Sequence, residues 1–155
     1  MLKPSNSNAF IWSEMAHFAV QIYYEDTDFS GVVYHPNFLK YFERAREHVI
    51  GADVLQTLWN QQGLGFAVYK SDMICHDGVE FADIIDVRTQ FCFESKYRTI
   101  WKQEIWRPNA TKAAVTAHIE MVCMNNKRQL TAMPAELIAL LNQTCPVNTH
   151  DRCKY

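Results

Sequence analysis

The residues most able to do chemistry lie together between Tyr23 and Arg46, in the run YYEDTDFSGVVYHPNFLKYFERAR. Three acids, Glu25, Asp26 and Asp28, lead into a turn at Ser30-Gly31. A short apolar step, Val32-Val33-Tyr34, follows, and His35-Pro36 opens a patterned helix. One segment therefore brings a carboxylate, a tight turn and a helix N-terminus together. The first amides of a helix lack partners and carry partial positive charge, which suits an anion or a polarised carbonyl. Asp28 stands just upstream of that terminus. An acidic surface turn before a helix would use the same letters, so position alone does not decide between the two.

The elements that must hold this segment are legible on either side of it. His17 to Tyr24 alternates, with Phe18, Val20, Ile22 and Tyr24 on one face, which predicts a strand. Pro36 suits the first helical position, where its missing N–H removes no bond. Phe38, Phe42, Ala45 and Val49 then recur on one apolar face. Gly51 is expected to end this helix in a left-handed conformation, and Asp53 to cap a second one over residues 54–62, ending at Gly63. Strands are expected at 66–76, 85–94, 99–107 and 112–124. The clearest has Ile85, Val87, Thr89, Phe91 and Phe93 alternating with Asp86, Arg88, Gln90, Cys92 and Glu94. Asp77-Gly78, Lys96-Tyr97 and Pro108-Asn109 mark the turns, and Pro134 opens a last helix. One long helix and about five mainly antiparallel strands make an α+β domain.

The 155 residues suit a single domain with a real core, and 48% hydrophobic content excludes a disordered chain. A formal charge of -2 argues against general nucleic-acid binding, which needs a basic face. No apolar run reaches the roughly 20 residues of a membrane span. The first eight residues lack the apolar core of a signal peptide, so a cytoplasmic protein is expected. Residues 1–13 read as a flexible arm, 14–142 as the domain and 143–155 as a polar tail. The cysteines, Cys75, Cys92, Cys123, Cys145 and Cys153, are odd in number and contain no C-x-x-C pair. Neither a disulfide framework nor a metal site is indicated, and His150-Asp151-Arg152-Cys153 is at most a weak ligand set. No cofactor is expected.

The central run resembles the hotdog-fold acyl-CoA thioesterases of the 4-hydroxybenzoyl-CoA thioesterase superfamily, and most nearly the bacterial branch associated with the Tol-Pal envelope system. Tyr24-Glu25-Asp26-Thr27-Asp28, Gly31-Val32-Val33-Tyr34-His35, Asn37-Phe38 and Phe42-Glu43-Arg44-Ala45-Arg46 carry the likeness. It extends more loosely from about His17 to about Leu141, through Gln103-Glu104-Ile105 and Pro134-Ala135-Glu136-Leu137. Phe29-Ser30 departs from the commoner pair of small residues before Gly31, which bears on pocket shape. Pro36 stands where this branch often has alanine.

The resemblance implies a curled antiparallel sheet wrapped around a long central helix. It also implies a homodimer or homotetramer with substrate sites at the subunit interface. The implied reaction is hydrolysis of an acyl thioester, carried by coenzyme A or by acyl carrier protein, to free acid and thiol. Asp28 is then the nucleophile or general base. An amide at the helix start polarises the thioester carbonyl, and because Pro36 has no N–H the candidates are His35, Asn37 and Phe38. The His35 side chain is a second catalytic candidate, since it can orient water or substrate. Tyr34 is a candidate pocket residue, and Lys96 and Arg98 are candidates for the phosphates of coenzyme A. Asp26 and Glu25 read as structural or solvated. Cys75 and His76 do not make a thiol–base pair, because neighbours on a strand point to opposite faces. The fold also serves hydratases and acyl-thioester-binding proteins, which stand as the alternatives.

Overall fold

The computed structural model describes residues 10–144 and 147–153, with side chains from 11 to 143. Its main sheet has five strands: β2 (Ala16–Gln21), β3 (Leu64–Cys75), β4 (Ile84–Phe93), β5 (Arg98–Trp106) and β6 (Val115–Asn125). They are ordered β2-β4-β5-β6-β3, and every neighbouring pair is antiparallel. The helices are α1 (Pro36–Ile50), α2 (Ala52–Gln62) and α3 (Ala135–Thr144). At fifteen residues α1 is an ordinary helix rather than a long one.

Alternation decides which face of the sheet is covered. Ile85, Val87, Thr89 and Phe91 of β4 are buried, as are Val115, Ala117, Ile119 and Met121 of β6. Phe38, Tyr41, Phe42 and Ala45 of α1 join the same core. In β2 the period of two ends early: Val20 and Ile22 are buried, but Tyr24 is exposed, because the chain leaves the sheet for a 3-10 turn at Tyr24–Asp26. Pro36 sits in the first turn of α1, as expected. Gly51 ends that helix at φ 98°, ψ 127°, outside the left-handed helical region, and simultaneously precedes α2. Asp53 therefore lies within the first turn of α2 instead of capping it. Gly63, at φ 62°, is the left-handed terminator.

Residues 10–13, read as part of an arm, form β1 (Phe10–Ser13), which pairs antiparallel with β7 (Val147–Cys153) from the expected tail. Ser13 anchors β1 to the main sheet. Its hydroxyl accepts the Phe91 N–H at 3.0 Å, and its carbonyl accepts Gln90 Nε2 at 2.9 Å. Cys145 and the side chains of His150, Asp151 and Cys153 lie outside the described residues.

One buried polar network ties α1 to the middle of the sheet. Arg46 is 3% exposed, and its Nη1 donates to Gln103 Oε1 at 2.8 Å. Its Nη2 meets the Glu43 carboxylate. Gln103 Nε2 donates to the Phe42 carbonyl and to Thr89 Oγ1, both at 3.0 Å. A buried guanidinium left short of acceptors is costly. Gln103→Ala is expected to destabilise the fold by about 2–4 kcal/mol, read as a lower urea midpoint. A midpoint within error of wild type would show that water replaces the glutamine at no cost.

Candidate active site

A hairpin-like turn presents the carboxylate. Gly31 adopts φ 84°, a conformation that favours glycine, and its N–H donates to the Asp28 carbonyl at 3.1 Å. The Asp28 N–H donates to Val32 O at 2.9 Å, and Thr27 bridges Val33. Asp28 is exposed, and its Oδ1 accepts both the Ser30 hydroxyl (2.5 Å) and the Ser30 N–H (2.7 Å). Those two donors, the hydroxyl first, hold the carboxyl below its usual range; partial desolvation opposes them and the nearby His35 assists. Both bonds fall on Oδ1, so Oδ2 has no hydrogen-bond partner among the described residues. The group is thus an ionised carboxylate with one oxygen available.

The sign of the pH effect follows. Hydrogen bonds to the charged form lower a pKa, so removing one raises it. The acid limb of kcat/KM is expected below the ordinary carboxylate range of about 4, and Ser30→Ala is expected to move it upward. An unmoved limb in that variant would show that the limb does not report the Asp28 carboxyl held by Ser30.

The start of α1 distinguishes among the three amides. The Asn37 N–H donates to Tyr34 O at 2.9 Å and the Phe38 N–H to His35 O at 3.2 Å. The His35 N–H has no acceptor among the described residues. Of the three candidates it is the one whose N–H is not already taken by a protein acceptor among the described residues. Asp26 fixes the approach: its carbonyl accepts the Tyr34 N–H at 2.9 Å and Asn37 Nδ2 at 3.0 Å, and its carboxylate accepts the Tyr23 N–H at 2.8 Å. These are structural bonds.

Asp28 and His35 line one cleft of about 470 Å³, together with Val32, Val33 and Phe38. Its other wall comes from the end of β3 and the following loop, residues 75–79. As a wall of the cleft it was missed in the sequence, where Asp77-Gly78 read as a turn and Cys75-His76 only as a rejected thiol–base pair. Cys75 pairs with buried Val115, whereas His76 Nε2 lies 2.9 Å from Thr116 Oγ1, the next position along β6. Cys75 and His76 thus diverge, and desolvation pushes the Cys75 thiol up, away from thiolate chemistry.

The remaining candidates lie elsewhere. Tyr34 stands beside the cleft, exposed, with its ring 5.2 Å from that of His35. Lys96 and Arg98 belong to the opposite end of the sheet. Arg98 opposes Val122, whereas Cys75 at the cleft opposes Val115, roughly seven residues or about 23 Å further along β6. Arg98 pairs with Glu120 at 3.0 Å and Glu94 at 3.5 Å, and its guanidinium lies over Tyr69. The Lys96 ammonium lies 5.2 Å from the centre of the Tyr97 ring. His118, on β6, contacts the Trp12 ring and not the cleft.

Comparison with known proteins gives this geometry a family. The model of the Thioesterase-like superfamily matches residues 23–141, from the Asp28 turn through most of α3. The chain belongs to this superfamily. A relative in Haemophilus influenzae, the acyl-CoA thioesterase YbgC, is 31% identical over 124 residues, covering 79% of this chain and 90% of its own. Among solved structures, a 1,4-dihydroxy-2-naphthoyl-CoA thioesterase from Synechocystis superposes with a TM-score of 0.74 at 20% identity, over 82% of this chain and 94% of that one. A mutant 4-hydroxybenzoyl-CoA thioesterase complexed with 4-hydroxybenzoyl CoA gives 0.73 at 16% identity, over 82% and 98%. At those identities the structures establish a shared fold, the hotdog of the thioesterases, for the five-stranded sheet and its helices. Among the described residues no helix is long and apolar enough to cross a membrane.

Proposed function

We propose that the protein is an acyl-CoA thioesterase in which Asp28 activates water or attacks directly, while the His35 amide receives the carbonyl oxygen. The observation that carries this reading is the pairing of a free carboxylate oxygen with an unbonded helix-start amide in one cleft. In the water route Asp28 takes a proton as the water oxygen bonds to the thioester carbon. The negative charge that collects on the carbonyl oxygen is met by the His35 N–H and the positive end of α1. The C–S bond then breaks, and the thiolate leaves and is protonated. In the direct route the carboxylate bonds to the thioester carbon, the C–S bond breaks to expel the thiolate, and water cleaves the resulting acyl anhydride to the free acid and the Asp28 carboxylate. Both need the ionised form that Ser30 stabilises. The His35 side chain borders the same space and can orient the water; Tyr34 then borders the acyl group.

The hotdog arrangement, with the sheet curled about α1, and a homodimer through β3 belong to the same reading. Antiparallel pairing of two β3 edges would set the Cys75 end of one strand beside the Leu64 end of its partner. That brings the partner's Lys96–Arg98 hairpin towards the cleft, where coenzyme A phosphates need cations. Acyl carrier protein is the other candidate thiol carrier. The compartment this reading implies is the cytoplasm.

The test is a panel of aliphatic and aromatic acyl-CoA thioesters, with thiol release followed by a disulfide reagent. Release from at least one thioester supports the reading. Tight binding without release would make the chain an acyl-thioester-binding protein, and water addition to an enoyl thioester would make it a hydratase.

A further inference from the structure

We infer that Arg107, outside the cleft, is a positioning residue that holds the 78–83 loop against the catalytic turn and so sets the placement of Asp28 and the His35 amide. The inference rests on the thioesterase reading for its kinetic consequence, but its structural half stands on contacts alone. Arg107 follows directly on β5 and is partly buried. Its single planar fork reaches three residues of the loop between β3 and β4. Nε donates to Asp83 Oδ2 at 2.8 Å, Nη1 donates to the Gly78 carbonyl at 3.1 Å, and Nη2 lies 3.4 Å from Glu80 Oε2. Asp83 Oδ2 also accepts the Glu80 N–H at 3.0 Å, which closes the loop on itself.

The loop in turn braces the catalytic turn. The Val33 N–H donates to Val79 O at 2.8 Å, and Val32 forms a bridge with Glu80. Gly78 packs so closely that a Cβ there would lie 2.8 Å from Val32 Cγ1. Val32 receives the Asp28 N–H through its carbonyl, and His35 follows two residues after Val33. A shift of residues 78–80 is therefore passed to both reacting groups by hydrogen bonds and contact. Arg107 is absent from the cleft lining, so it acts through this wall and not on substrate. A guanidinium spans three acceptors in one plane, whereas a lysine ammonium is a point charge and cannot.

The test compares Arg107→Met, Arg107→Lys and Glu80→Gln in the full chain, using benzoyl-CoA and hexanoyl-CoA. Arg107→Met is expected to lower kcat ~10- to 100-fold with KM within about twofold, since sub-ångström displacement of reacting groups costs rate and not uniform binding. Its acid limb should move towards the ordinary carboxylate value. Arg107→Lys should recover only part of kcat, and Glu80→Gln should stay near wild type because Glu80 is exposed and its contact is the longest. Amide hydrogen exchange supplies a readout independent of activity: Arg107→Met should speed exchange at Val33 by at least ~10-fold while the core of β5 stays protected. Should Arg107→Met fail to fold, Gly78→Ala presses the same wall from the other side and should show the same fall in kcat with KM held. Unchanged Val33 exchange, unchanged kcat, full recovery with lysine, or a loss confined to KM would each overturn the inference. If wild type hydrolyses neither thioester, the thioesterase reading is what fails for those substrates, and Val33 exchange alone decides the role of Arg107.

Discussion

Asp28→Asn is expected to lower turnover by at least ~100-fold, the loss typical of a missing general base or nucleophile. The substitution is unusually clean at this position. Asparagine keeps an Oδ1 that can accept both Ser30 donors, so the turn that carries residue 28 has its hydrogen bonds intact. The side chain is exposed, so no packing is lost. What disappears is the charge and the basicity of the free oxygen. Thermal unfolding and oligomeric state should match wild type, and KM should change much less than kcat. Asp26→Asn is the internal comparison. Its carboxylate accepts the Tyr23 N–H and its main structural work is done by its backbone carbonyl, which the substitution leaves in place. A fall of less than about fivefold is expected there. Near-wild-type turnover in a folded Asp28→Asn protein would remove Asp28 from the mechanism and return Asp26 to consideration.

Which features were legible in the sequence depends on how local their causes are. The alternation of Ile85, Val87, Thr89, Phe91 and Phe93 is a local signal, and the first four are buried in β4, but it fails at the strand's end, where Phe93 is half-buried and Cys92 of the other face is buried. Pro36 marks its own place at the start of α1. Tyr24 shows the limit of periodicity: it continues the apolar face of β2 by letter, yet the acids that follow close a 3-10 turn and leave it in solvent. Gly51 serves two helices at once, which no single-helix capping rule anticipates.

The site divides the same way. Asp28, Ser30 and Gly31 form one turn within four residues, so their relation is local. The opposite wall depends on strand order, because β3 reaches the turn only as the outer strand of a five-stranded sheet. The choice of the His35 amide depends on which neighbouring carbonyls are already taken, a matter of ångströms. Lys96 and Arg98 are a hairpin by pattern, but pattern does not tell which end of the sheet a hairpin occupies. The network from Arg46 to Gln103 spans 57 residues and that from Arg107 to Gly78 spans 29, and neither leaves a trace at short range.

The second large effect concerns assembly. The outer strand β3 is twelve residues long and pairs with β6 on one side, and among the described residues its other edge has no strand partner. An isolated chain would carry this as an aggregation template. Along it, Val68 is 48% exposed, Tyr69 65% and Ile74 59%, which is more apolar surface than a solvated edge normally keeps. Pairing with a second copy would satisfy both the backbone and the side chains, and the irregularity between Val68 and Lys70 would limit which registers can form. Light scattering at micromolar concentration is expected to give two or four times the 18.0 kDa protomer mass. Val68→Lys with Ile74→Lys places charge along the paired edges and should shift the protein to monomer. If the site is interfacial as proposed, thioester hydrolysis should fall with it, by at least ~10-fold, because the cleft at the end of β3 would lose the partner's contribution. Far-ultraviolet circular dichroism should hold, since both side chains are largely exposed and α1 remains packed. The decisive comparison is specific activity against concentration. Activity per protomer that rises with concentration, as monomers associate into dimers, supports an interfacial site. A monomer with full activity would place the whole site within one chain, and would leave Lys96 and Arg98, at the far end of the sheet, with no part in binding the thiol carrier.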